Sequence, residues 1–304
     1  MKPIVTLVMP VYNAMPYLRQ AVESILAQTY SEFRFLIVDD GSTDDSAAYL
    51  GQVKDPRVTL VRQDNMGLGA TLNRSLDLCD TPLYARMDAD DIALPGRLAA
   101  QVAFLEKQPS IVLVGTQIGF AVGETILPVR RFPQTHDRIL ALLLRGEPIV
   151  CHPSVMFRRD DARAIGGYRI HGAGEDFDFF IRMAEQGRLA NLNQVLLNYR
   201  IREGSIVSSS QGILLRGIDY ACACAAARRR SGTEPDYTAF CQTWQGCRKN
   251  QWRAKMAAGK TRAYRQSLLA RATGRRWAAW GWLLRAALCA PRKTCRRLFL
   301  RLTQ

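Results

Sequence analysis

The chain has 304 residues, of which 48% are apolar and 23% charged. That is long enough for one large domain or two modest ones, and the composition excludes a disordered or collagen-like chain. The formal charge of +15 is gathered at one end: residues 1–199 hold 20 Lys+Arg against 23 Asp+Glu, residues 200–304 hold 22 against 4, and no acid follows Asp236. A near-neutral body carries a strongly cationic tail.

The opening MKPIVTLVMP is interrupted by prolines at 3 and 10, and no small-residue cleavage site follows, so no signal peptide is expected. The longest apolar stretch, Trp277–Ala290, contains Gly281 and Arg285 and falls short of the roughly 20 residues that a spanning helix needs. The eight cysteines match neither a secreted disulfide scaffold nor a zinc spacing, which predicts reduced thiols in a cytosolic compartment.

Short apolar runs alternate with helical patterns through the first half, as in βα units around a parallel sheet. Ile4–Met9 predicts a buried strand, and residues 16–28 a helix with Leu18, Ala21, Val22, Ile25 and Leu26 on one face. Phe33–Val38 predicts the second strand. After it, Ser42 or Thr43 is expected to cap a helix whose first turn holds Asp44 and Asp45. Val58–Val61 reads as a third strand, Leu68, Leu72 and Leu76 as a helical stripe, Leu83–Met87 as a fourth strand, and Leu94–Gln108 as a helix. Ile111–Val114 is strand-like, and Ile118–Leu127 predicts a hairpin around Gly123-Glu124. Ile149–Phe157 and Val195–Ile201 read as strands flanking a helix from about Glu175 to Gln186, with Phe177, Phe180, Ile181 and Ala184 on its apolar face. SIVSSSQG then reads as a linker, which predicts domains of residues 1–210 and 211–304, the second helical, basic and rich in Trp and Arg.

In an open α/β sheet, ligands sit beyond the carboxyl ends of the strands. Acidic groups stand at two such ends here, Asp39/Asp40 and Asp88/Asp90/Asp91. Asp88-x-Asp90 either offers oxygen ligands to a hard cation such as Mg²⁺ or Mn²⁺, or is a polar loop that caps the next helix. Asp176, following a glycine-rich turn, is either a first-turn acid or a general base.

Three strings occur in order: Pro10-Val11-Tyr12-Asn13; Val38-Asp39-Asp40-Gly41-Ser42-Thr43-Asp44; and Met87-Asp88-Ala89-Asp90-Asp91 with Pro95-x-Arg97-Leu98-x-x-Gln101. Cys151-His152-Pro153-Ser154, Gly174-Glu175-Asp176 and Tyr199-Arg200 follow. Over roughly residues 3–210 this set resembles the nucleotide-sugar-dependent, inverting glycosyltransferases of family 2. The resemblance implies a GT-A fold, a Rossmann-like α/β architecture with a mostly parallel central sheet. It implies that Pro10, Val11 and Tyr12 line the nucleobase pocket, with Asp40 beside them. Asp39 would accept from a uracil imide N–H, Asp88 would touch ribose or metal through water, Asp90 would bind the metal, and Asp176 would be the base. The implied co-substrate is a nucleotide sugar, a UDP-sugar by the choice of carboxylate, and the implied cofactor is Mn²⁺ or Mg²⁺. His152 matches an acceptor-side position and equally suits a buried structural role.

Two positions depart from the family pattern. Leu72 stands where a basic residue often precedes Asn73, leaving Arg74 as the substitute. Arg202 stands in place of a histidine, and it can neutralise diphosphate but cannot ligate a metal.

The tail places Trp277, Trp280, Leu284 and Leu288 on one helical face flanked by Arg275, Arg276, Arg292, Lys293, Arg296 and Arg297. Either this face meets an anionic membrane surface, or it packs inward on the body. No nucleic-acid motif accompanies the charge, so no nucleic acid partner is expected. The expected function is sugar transfer to a glycan or lipid-linked acceptor in cell-surface polysaccharide assembly, peripheral on the cytosolic face of the membrane. The alternative is a catalytically silent GT-A module that binds a nucleotide sugar or an assembly partner.

Overall fold

A computed structural model describes residues 3–169, 173–201, 211–230 and 232–289, apart from the side chains of 128–130. The expected linker and Arg202 therefore lie mostly outside the described residues. The chain divides into two compact units. The first comprises Met1–Phe120, Pro128–Ile170 and Glu175–Arg200; the second comprises Ala121–Leu127, His171–Gly174 and Ile201–Gln304.

The first unit is built on one mixed sheet. Its strands are β1 (Val5–Val11), β2 (Phe33–Asp39), β3 (Val58–Arg62), β4 (Leu83–Arg86), β5 (Ile92–Ala93), β6 (Ile111–Val122), β7 (Thr125–Arg130), β8 (Met156–Arg158) and β9 (Arg188–Arg200). They lie in the order β3-β2-β1-β4-β8-β6-β9-β5, with β7 beside β6. Pairing is parallel from β3 through β4, and antiparallel where β8 meets β4 and β6 and where β5 meets β9. β1 and β2 are almost wholly buried, as strands covered on both faces must be, which is why they read as continuous apolar runs.

Helices α1 (Leu18–Leu26), α2 (Ser46–Leu50), α3 (Leu68–Leu78), α4 (Arg97–Lys107), α5 (His136–Leu143), α6 (Arg159–Ala164) and α7 (Glu175–Gln186) connect the strands. α7 buries Phe177, Phe180, Ile181 and Ala184 as its periodicity predicts, together with Phe179 and Met183. Leu72 and Leu76 of α3 are buried, while Leu68 is exposed.

Three local expectations are corrected. Neither Ser42 nor Thr43 caps α2, which starts only at Ser46 with Asp45 as its uncapped flanking residue. The stretch Ile149–Phe157 is strand only from Met156, because His152–Ser154 forms a 3₁₀ turn around Pro153. The fourth helix begins at Arg97, behind Pro95-Gly96, and the residues before it form the short strand β5.

The second unit contains the tip of the β6–β7 hairpin, where Gly123 takes the positive φ of 58° that the turn needs, and, among the described residues, four helices. These are α8 (Gln211–Arg230), α9 (Tyr237–Gly246), α10 (Arg248–Ala272) and α11 (Arg276–Leu288). Asp236 caps α9 by accepting from the Ala239 N–H, and Asp219 of α8 accepts from the Trp244 indole and from Arg253 of α10. α11 packs along α10 and buries Ala279, Leu283 and Ala286. No helix among the described residues is long and apolar enough to cross a membrane.

Candidate active site

The strand order reverses between β1 and β4: β2 and β3 extend the sheet to one side and β4 to the other. A crevice opens at such a switch point, beyond the carboxyl ends of the strands. β4 follows β1 only as far as Val8, whose carbonyl accepts from the Met87 N–H, after which the chains part. Pro10 and Val11 end β1 with Tyr12 next, Asp39 ends β2 with Asp40 next, and Asp88, Asp90 and Asp91 follow β4, so topology brings these residues to one rim.

The loop after β1 is fastened to the loop after β2. Asn13 adopts φ 48°, and its side-chain carbonyl accepts from the Thr43 N–H (2.8 Å) while its own N–H donates to Ser42 Oγ (3.1 Å). The Ala14 and Met15 N–H groups donate to Ser46 Oγ and Asp44 Oδ2. Ser42, Thr43 and Asp44 thus brace the pocket wall instead of capping a helix. Asp39 is buried and accepts from the Ser42 N–H (3.0 Å). Asp40, also buried, accepts from Gln63 Nε2 and from the Met66 and Gly67 N–H groups, which fixes the loop leading into α3. Gly41 is required directly after them. Its φ is +77°, and a Cβ there would stand 2.8 Å from the Asn65 backbone nitrogen. Val11 is buried and Tyr12 is exposed at the rim.

The second acidic group is tighter. Asp88, Asp90 and Asp91 each offer a carboxylate oxygen within 4.8 Å of the others. Asp91 is buried; one oxygen accepts from the Arg200 N–H (2.8 Å) and the other has no hydrogen-bond partner. Burial, reinforced by Asp88 and Asp90, pushes its carboxyl well above the usual carboxylate range. Hard oxygen donors brought this close, with a buried oxygen left over, fit a divalent cation.

Arginines hold this loop. Arg86, fully buried at the end of β4, donates Nη2 to Asp88 Oδ1 at 2.5 Å. Its Nε and Nη1 are buried without partners. Arg200 donates Nε to the Asp90 carbonyl (2.7 Å) and stacks its guanidinium 4.7 Å from the Tyr17 ring centroid. Arg97 donates to the Arg86 carbonyl, and burial lowers its pKa to about 10, which leaves it cationic at neutral pH. Gln101 donates to the Ser154 and Val114 carbonyls and so secures the turn that carries His152.

Asp176 stands in the first turn of α7, accepting from the Phe177 N–H (2.8 Å). Its helix is anchored two residues on by the buried Asp178–Arg182 pair (2.7 Å), whose guanidinium also donates to the Ile165 and Gly167 carbonyls. Desolvation raises the Asp176 pKa, opposed by the Phe177 N–H and the charge of Arg86. A raised carboxyl is a more basic carboxylate, which suits proton abstraction. His152 is buried, hydrogen-bonded through Nε2 to Tyr168 Oη (3.0 Å), and held neutral by desolvation and by Arg86.

Leu72 faces the core, and Arg74 donates to Gln63 Oε1. Asn73 makes two hydrogen bonds to the Tyr168 backbone. Arg86, Asp91 and Arg200 are site residues to which sequence reading gave no role. For Arg86 the available signal was a charge inside an otherwise apolar strand. Arg200 was visible only within the Tyr199-Arg200 string, and partners about 110 residues away in the chain left no local sign of what it holds.

The profile of Glycosyl transferase family 2 matches residues 6–166. The amylovoran biosynthesis glycosyltransferase AmsE of Erwinia amylovora is 31% identical, aligned over 62% of this chain and 71% of its own. Among solved structures, S. aureus TarS 1–349 in complex with UDP-GlcNAc superposes with a TM-score of 0.62 at 15% identity, covering 95% of this chain and 91% of that one. The mannosyltransferase PcManGT of Pyrobaculum calidifontis, in complex with GDP-Man and Mn²⁺, does so with a TM-score of 0.57 at 18% identity, over 100% and 80%. These structural likenesses show the GT-A fold. With its carboxylates gathered at the switch point of that fold, the chain belongs to glycosyl transferase family 2.

Proposed function

We propose that the protein is an inverting, metal-dependent glycosyltransferase that moves a sugar from a UDP-sugar to a hydroxyl of a glycan or lipid-linked acceptor in cell-surface polysaccharide assembly. Residues 1–210 form the catalytic domain, and residues 211–304 attach it to an anionic membrane surface at the cytosolic face. The observation that carries the reading is the convergence of separate carboxylates at one crevice. Asp39 lies on the β1–β2 side, Asp88, Asp90 and Asp91 lie after β4, and Asp176 lies near enough to Asp88 and Arg86 to feel both charges.

Asp39 accepts from the imide N–H of uracil, with Pro10, Val11 and Tyr12 against the base. Asp90, Asp91 and the Asp88 oxygen not engaged by Arg86 would hold the cation, which when bound supplies Lewis-acid stabilisation of the departing diphosphate. Arg86 and Arg200 keep those carboxylates in place. Asp176 takes the acceptor hydroxyl proton as that oxygen attacks the anomeric carbon. A single base that activates the acceptor while the diphosphate leaves from the opposite side of the anomeric carbon gives one displacement with inversion, by analogy with glycoside hydrolysis.

The test is calorimetric titration of UDP into wild type and Asp39→Asn. The amide turns one acceptor oxygen into a donor, so UDP binding should weaken by about tenfold or more. UDP bound equally by both would overturn the nucleobase assignment. UDP binding without turnover under any acceptor would leave a nucleotide-sugar-binding module.

A further inference from the structure

α11 is two-faced in an unusual sense. Its small and medium residues Ala279, Leu283 and Ala286 are buried, while Trp277, Trp280, Leu284 and Leu288 stand 90%, 44%, 58% and 81% exposed. The four fall at i, i+3, i+7 and i+11 and form one stripe along the helix. Core packing normally places the largest apolar side chains inward, and a contiguous exposed apolar strip marks an interaction surface. Arg275 and Arg276 are exposed at one end of the strip, and Arg285 is exposed beside it. At the other end Leu288 also lines an open groove of about 330 Å³ between α10 and α11, with Arg262 and Arg285 among its walls.

We infer that this outward face of α11 lies in the plane of an anionic bilayer, with Trp277, Trp280, Leu284 and Leu288 in the headgroup and upper acyl region. The inference rests on the attachment proposed above and names the surface that performs it. Charge selects the occupant. The described acids of residues 211–289 are engaged elsewhere: Asp219 with Trp244 and Arg253, Glu234 with Arg228, and Asp236 as a cap. A second copy docked strip to strip would bring cation against cation, because no acid follows Asp236 in either chain. An anionic bilayer satisfies both features at once: apolar side chains leave water, Trp rings sit at the headgroup level, and the flanking arginines meet lipid phosphates.

The experiment is vesicle flotation of the full chain, using phosphatidylcholine with and without phosphatidylglycerol. Wild type is compared with the Trp277→Ser/Trp280→Ser/Leu284→Ser triple variant and with Arg248→Gln/Lys249→Gln at the far end of α10. All the replaced strip residues are exposed, so the fold is expected to survive, checked by circular dichroism and by retained UDP binding. Wild type should float with phosphatidylglycerol vesicles, the triple variant at least about tenfold less, and the α10 variant only slightly less. Quenching of wild-type tryptophan emission by lipids brominated high on the chain should accompany flotation. No wild-type flotation would remove the attachment and this face together. Flotation equal in wild type and the triple variant, or flotation without quenching, would leave the attachment and overturn this face. Retention on an oligonucleotide column or self-association in place of flotation would overturn both.

Discussion

Arginine does opposite work in the two units. In the first, Arg86, Arg97, Arg182 and Arg200 are buried and bonded to carboxylates or carbonyls that shape the crevice. Along α10, α11 and the turn between them, Arg271, Arg275, Arg276 and Arg285 sit at least partly in solvent, and neither helix contains an acid. A buried guanidinium fixes geometry, because its planar fork spans several acceptors and losing one of them leaves a charge stranded. An exposed one contributes field and little stability. Composition alone equates the two kinds, and only burial separates a positioning arginine from a surface-attracting one.

Mutations should break this contrast in graded steps. The largest effects fall on the carboxylates themselves. Asp90→Asn and Asp176→Asn should each lower kcat by about a thousandfold or more, while Asp176→Asn keeps UDP affinity. Asp176→Asn also has a signed effect on stability. Because the folded-state pKa is raised, the ionised carboxylate opposes folding once the pH passes the unfolded value, so at neutral pH the variant should melt at or above the wild-type temperature. A clear loss of Tm would place Asp176 in the framework instead.

Next come the buried arginines. Arg200→Met keeps the backbone N–H bond to Asp91 but removes the guanidinium bonds to the Asp90 carbonyl and Gln20 Oε1, and should cost about 2 kcal/mol in denaturant unfolding. Arg86→Met, which removes two unpartnered donors along with the Asp88 contact, should leave stability nearly unchanged and lower kcat or metal affinity by about 10–100-fold. The pH profile follows: transfer should fall as pH drops through the Asp176 pKa, with the acid limb lying above the range of an ordinary aspartate. Smallest of all, Arg276→Gln should shift unfolding by less than about 0.5 kcal/mol and register only in vesicle binding.

Local periodicity carried most of the fold into view. β1 and β2 are long apolar runs buried on both faces, and α7 is long enough to bury a constant face, so their patterns show. The short pieces β5, β8, α5 and α6 are too brief for periodicity, and they form because distant partners complete them. β5, for example, is a strand only because Ile92 and Ala93 pair with Asn198 and Leu197 of β9. At the site, the carboxylates were readable as a motif at strand ends, while the contacts by which Arg86 and Arg200 hold their loop were not. The same gap explains Ser42 and Thr43. Their spacing suits a cap, yet the left-handed Asn13 some 30 residues earlier competes for the same groups and wins. In the tail, the spacing of Trp277, Trp280, Leu284 and Leu288 gave the stripe. Its direction depended on whether α10 receives that face or the Ala279–Leu283–Ala286 face, and the smaller residues allow the closer approach.

The measurement that tests the central claim most directly is nucleotide release by the full-length protein over a panel of UDP-, GDP- and dTDP-sugars, with Mn²⁺, with Mg²⁺ and with chelator, for wild type and Asp90→Asn. Slow release from one UDP-sugar, lost on chelation and lost in the variant, is the predicted result. Wild-type-like release from Asp90→Asn, or no release together with no stabilisation by UDP, would contradict it.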